Sequence, residues 1–199
     1  RLLGLDASSA LHAAPCVETQ SGNVTTLDCE ATLLTESMGA SGDPQRQVKY
    51  LLPDAPENAP PGGWPVVIMY HGTGGLISFK APSTSTTQLT FGTYYQVQAI
   101  RELVNHGYAV IAPPARNIVG AWQSNDGTPT PAEYALTEDF RFLTGLFGWI
   151  ADKKNALGGK LFAESRMHAT GISSGGYNTS RMAVSFPTKF RSLTIASAS

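Results

Sequence analysis

An α/β fold on a mostly parallel sheet is what this sequence predicts, and three observations predict it. Two continuous apolar runs, Pro65-Val-Val-Ile-Met-Tyr70 and Tyr108-Ala-Val-Ile-Ala112, have the character of strands buried on both faces. Segments of helical spacing separate and follow them, so that strand, helix, strand, helix, strand, helix, strand succeed one another from Pro65 onward. This alternation implies right-handed crossovers with helices on both faces of the sheet. Finally, the turns leaving two of these strands, His71-Gly-Thr-Gly-Gly75 and Gly171-Ile-Ser-Ser-Gly175, are rich in glycine. Both lie at C-terminal strand ends, where ligands sit in such sheets.

The elements follow from local patterns. Residues 1–15 are small and apolar without a clear period and read as a docked arm or short helix. Because the first residue is Arg1, a leader or other segment is expected to have been removed. Residues 17–35 are strand-like, with a turn at Ser21-Gly22-Asn23, and residues 39–44 are a loop. A short strand at 47–53 closes on Pro53, and residues 54–64, rich in Pro, Ala and Gly, read as an exposed loop. After the Pro65 strand comes a long polar loop, 76–92, carrying Phe79, Leu89 and Phe91. Residues 93–106 have helical spacing, with Tyr94, Val97, Ile100, Arg101 and Val104 on one face and Gly107 as the stop. A second long loop, 115–130, carries Arg116, Trp122, Asn125 and Asp126. Pro131 then opens a helix whose apolar face is Leu136, Phe140, Leu143, Phe147 and Ile150. Beyond a polar break at 152–159 lie a strand at 167–172, a helix at 176–186 and an apolar strand from Leu193.

The chain of 199 residues is 42% hydrophobic and only 15% charged, which suits one globular domain over 1–199. A net charge of −1 with no basic run argues against nucleic acid or anionic membrane as partners, and no apolar stretch approaches the length of a membrane span. Cys16 and Cys29 flank a short segment and are expected to form a disulfide, which implies an oxidising compartment and a secreted protein. The alternatives are two buried thiols, or pairing with cysteines outside this sequence.

Gly171, Ser173 and Gly175 spell G-x-S-x-G. A strand-to-helix turn this sharp lifts the serine off the strand end, and glycine on either side removes collisions across the turn. Acyl transfer also needs two N–H donors for the oxygen that becomes negative. One is expected from Ser174. The other is expected from the loop after the Pro65 strand, at Thr73, or at Gly72 or Gly74 if that loop is of the longer glycine-run type. His71 reads as a buried histidine holding this loop and not as a base.

With these residues in view, the sequence resembles the α/β-hydrolase fold over residues 45–199. More narrowly, Gly171-Ile-Ser-Ser-Gly175, His71-Gly-Thr-Gly-Gly75 and Thr25-Thr-Leu-Asp-Cys29 resemble secreted bacterial depolymerases of medium-chain-length polyhydroxyalkanoates. The resemblance implies an α/β-hydrolase-type sheet with helices on both faces and Ser173 as nucleophile. It implies Ser174 and Thr73 as oxyanion donors, hydrolysis of a 3-hydroxyacyl ester through an acyl-enzyme, and no metal or organic cofactor. Two other functions stay open: a secreted esterase for small or plant-wall esters, and a non-catalytic α/β-hydrolase-like binding domain.

A serine nucleophile needs a base, and in this fold the order is Ser, then Asp or Glu, then His. Residues 174–199 contain no Asp, Glu or His, and His12, His71, His106 and His168 all precede the serine. The triad acid and base are therefore expected outside this chain, on C-terminal strands that complete a fold of about 250 residues. Without that remainder of the polypeptide, residues 1–199 are expected to be inactive. Asp139 reads as a solvated or capping carboxylate, and Asn125 and Asp126 as turn residues. For adsorption to a solid apolar substrate, the two long loops offer Phe79, Phe91, Tyr94 and Trp122 as substrate-binding candidates, with Leu89 and Tyr95 beside them. A monomer is expected.

Overall fold

The computed structural model describes residues 15–85, 92–116, 120–125 and 129–196. Its centre is a six-stranded sheet formed by β3 (Leu34–Met38), β4 (Arg46–Leu51), β5 (Trp64–Tyr70), β7 (Ala109–Ala112), β8 (Phe162–Ile172) and β9 (Ser192–Ala196). The order across the sheet is β3-β4-β7-β5-β8-β9. Strands β7, β5, β8 and β9 are mutually parallel, and β4 runs antiparallel to both β3 and β7. A smaller antiparallel sheet joins β1 (Val17–Ser21), β2 (Val24–Asp28) and β6 (Lys80–Pro82).

The apolar runs become central strands because both of their faces are covered. Val66, Ile68 and Tyr70 of β5 pack with Ile111, Met167 and Ala169 against Phe142, Leu143, Leu146, Phe147 and Met182. Those side chains come from α3 (Glu138–Asp152) and α4 (Ser174–Ser185). The alternate residues Val67 and Met69 face the other way, toward Val97, Ile100 and Val104 of α1 (Thr93–Asn105). The period-2 alternation of a strand thus feeds two separate cores. The expected alternation is present as β5-α1-β7-α3-β8-α4-β9, with helices on both faces.

Several local expectations are corrected. The helix opened by Pro131 is two helices, α2 (Pro131–Tyr134) and α3. Thr130 caps the first with a capping box, and Thr137 caps the second, so the intervening Leu136 is 78% exposed and belongs to no apolar face. The strand-like region 17–35 is interrupted by a 3-10 turn, Glu30–Thr32. The long loop after β5 is not free of structure: β6 pairs with β2, and the Cys29 N–H donates to the Phe79 carbonyl. Cys16 and Cys29 form a disulfide beside this pairing.

Candidate active site

Ser173 sits between β8 and α4 with φ 52° and ψ −121°, and among the described residues it is the non-glycine residue with positive φ. Holding a side chain there costs on the order of 1–3 kcal/mol, so the surroundings must over-determine it. Its N–H donates to the Ala196 carbonyl of β9 at 3.0 Å, and its carbonyl accepts from the Tyr177 N–H at 3.0 Å. The two glycines explain themselves sterically. A Cβ on Gly171 would fall on the carbonyl of Gly175 and lie 2.6 Å from Thr179 Oγ1. A Cβ on Gly175 would fall on the carbonyl of Tyr70 and lie 2.6 Å from that of His71. Glycine at both positions lets α4 start directly against the end of β5, which brings Ser173 to the glycine loop.

That loop is held from beneath by His71, which is buried. The Ala115 N–H donates to its Nε2 at 2.9 Å, so Nε2 is the acceptor and Nδ1 carries the proton, which it donates to the Gly72 carbonyl at 2.7 Å. Burial pushes the His71 pKa down, against the opposing pull of the Gly72 hydrogen bond and the charge of Asp139. The ring is neutral with both nitrogens engaged, so it anchors the loop and has no free lone pair for a serine proton. Thr73, two residues on, is exposed.

Trp122 joins the two halves of the site. Its backbone N–H donates to Ser174 Oγ at 2.9 Å, and its indole N–H donates to the His71 carbonyl at 3.0 Å. The indole ring lies edge-on to Tyr70, with centroids 5.1 Å apart. Ser174 Oγ, facing inward, passes its own hydrogen to Asn125 Oδ1 at 3.3 Å. Adjacent serines therefore divide the work: the Ser174 side chain is structural, while Ser173 stands at the strained turn.

The exposed rim differs from the expected one. Phe79 and Trp122 are buried and pack their loops down, and Tyr94 is half-buried against the α1 core. Phe91, Leu89 and Asp126 lie outside the described residues, as does His12. Among the described residues, large apolar side chains exposed at the same sheet end as Ser173 include Leu76 (40%), Tyr95 (60%) and Tyr177 (38%), with Ile195 beside Gly171. Asp139 is neither solvated nor a cap: it is fully buried and paired with Arg46 at 2.5 Å, a long-range ion pair that no local pattern announces. His168 lies five residues before Ser173 on β8 and is bonded to Ser192 Oγ at 2.7 Å, while His106 ends α1 and bonds the Glu102 carbonyl. Neither is placed at the elbow. Among the described residues no group of three or more His, Cys, Asp or Glu side chains is arranged to hold a metal ion.

The sheet order, the strained serine between β8 and α4, and the glycine loop after β5 define an α/β-hydrolase fold. Solved structures agree. The chain superposes on a thermostable esterase with a TM-score of 0.51 at 17% identity, covering 80% of this chain and 39% of that one. It superposes on an acetyl xylan esterase from Aspergillus awamori with a TM-score of 0.51 at 19% identity, covering 81% and 51%. In sequence the chain is similar to a poly(3-hydroxyoctanoate) depolymerase of Pseudomonas fluorescens, 46% identical over 158 residues, which is 78% of this chain and 52% of the relative. The chain thus spans about half the length of that curated relative. No protein-family model matches the sequence.

Proposed function

We propose that the polypeptide carrying this chain is a secreted serine hydrolase that depolymerises a polyhydroxyalkanoate by cleaving medium-chain-length 3-hydroxyacyl esters. One observation carries the chemistry: Ser173 is forced to positive φ between two glycines that have no room for a Cβ. The similarity to a poly(3-hydroxyoctanoate) depolymerase supports the substrate class. The Cys16–Cys29 disulfide supports an oxidising destination.

In this reading Ser173 Oγ attacks the ester carbonyl while a base takes its proton. The N–H groups of Ser174 and Thr73 stabilise the tetrahedral oxyanion, and its collapse expels the alcohol end of the polymer. Water then cleaves the acyl-enzyme by the same route. In this reading the base and its orienting carboxylate come from outside residues 1–199: residues 174–199 hold no Asp, Glu or His, and His71, His106 and His168 are bonded away from the serine. Leu76, Tyr95 and Tyr177 supply an apolar face toward the solid substrate.

Clearing of a poly(3-hydroxyoctanoate) latex by the full-length protein, set against release from a soluble short-chain ester, tests this. Clearing that is lost in Ser173→Ala is the expected result. Turnover of the soluble ester without clearing would assign the protein instead to small-ester hydrolysis.

A further inference from the structure

The Asp139 carboxylate, at the first turn of α3, is met by donors from three places. Its Oδ1 accepts from the Arg46 guanidinium and from the Arg116 N–H at 3.2 Å, and its Oδ2 accepts from the Gln123 N–H at 2.7 Å. The Asp139 N–H donates in return to Gln123 Oε1 at 3.0 Å. Arg116 stands near the start of the loop that follows β7, and Gln123 stands near its middle. Their immediate neighbours, Ala115 and Trp122, are the residues that hold His71. In each adjacent pair, therefore, one residue grips the carboxylate and the other grips the histidine. His71 passes the constraint on to the Gly72 carbonyl, one residue before Thr73.

The geometry assigns Asp139 the role of positioning residue for the oxyanion loop, acting through Ala115, Arg116, Trp122, Gln123 and His71; this rests on the reading of Thr73 and Ser173 given above. A carboxylate suits the place because it accepts two backbone N–H groups and a guanidinium at once. An asparagine there offers one acceptor oxygen, turns an N–H₂ toward a donor, and leaves the buried Arg46 without a counter-charge. Loosening the loop moves a donor that matters in the transition state more than in the ground state. The loss then falls on kcat and not on KM.

The test uses the full-length polypeptide and a soluble p-nitrophenyl ester, comparing Asp139→Asn with Ile150→Ala, a core truncation three turns along α3. The expected result is a kcat about tenfold or more lower for Asp139→Asn with KM unchanged, against kcat and KM both retained in Ile150→Ala. Trp122→Phe leaves a smaller aromatic ring and deletes the N–H to the His71 carbonyl; it gives the same signature and carries the test if Asp139→Asn does not fold. A folded Asp139→Asn or Trp122→Phe enzyme with undiminished kcat overturns the assignment. Histidine ¹⁵N spectra give a readout that does not depend on catalysis. The wild-type His71 signal is that of an Nδ1–H tautomer, and it shifts or exchange-broadens in Asp139→Asn. An unmoved His71 signal overturns the positioning role. A moved signal in a protein without esterase activity upholds the positioning and removes the esterase reading.

Discussion

The α-carbon of Gly175 faces the backbone carbonyl of Tyr70 with no room between them for a methyl group. The contact fixes how closely α4 meets the end of β5, and with it how closely the Ser173 turn meets the glycine loop. Gly175→Ala must push apart two backbones that belong to central elements, so a loss of about 3 kcal/mol or more is expected, with activity lost alongside. Gly148 on α3 is the contrast: it is exposed, and a Cβ there meets nothing within 4 Å. Gly148→Ala is expected to raise stability by about 0.5–1 kcal/mol. Urea unfolding of the two variants measures both, and equal effects would contradict the steric account of the elbow.

His71 makes stability sensitive to acid. Its folded pKa lies below its unfolded value, chiefly through burial. Above about pH 6.5 both states are neutral at this ring and its contribution is complete. As pH falls below that value the unfolded chain takes up a proton that the folded chain refuses, and stability is lost until the lowered folded pKa is reached. The loss approaches at most about 1.4 kcal/mol per pH unit from this group. Urea midpoints from pH 8 to pH 5 should therefore fall less steeply in His71→Gln than in wild type. Parallel slopes would show that His71 is freely protonated in the fold.

Tyr95 separates adsorption from chemistry. It is 60% exposed in the first turn of α1, at the end of the sheet where Ser173 lies. Tyr95→Ser together with Leu76→Ser should slow latex clearing several-fold while leaving turnover of a soluble ester near wild type. Equal losses on both substrates would place these side chains in the fold and not on the polymer-facing surface.

Legibility in the sequence tracked the range of the interactions. The strand and helix alternation was readable because each apolar run reports its own burial, and the elbow was readable because its steric demands fall within five residues. The register of β8 on β5 and β9 then followed the expected parallel order. What could not be read was set by contacts between distant segments. Arg46 and Asp139 are 93 residues apart, and nothing local marks either as buried. Trp122 looked like an exposed loop aromatic because its partners, Tyr70, His71 and Ser174, lie 50 or so residues away on either side. The break at Leu136 was hidden because Thr137, its capping residue, sits inside an otherwise helical spacing. No Asp, Glu or His follows Ser173 in residues 174–199.

In the proposed reading Ser173 is a nucleophile activated by groups outside residues 1–199. A fluorophosphonate probe applied to the full-length folded protein, followed by peptide mapping, tests it directly. The expected result is a single phosphonylated serine at position 173, absent in Ser173→Ala, with labelling slowed at least tenfold when residues 1–199 are tested alone. A folded full-length protein that does not label, or that labels at another serine, would contradict it.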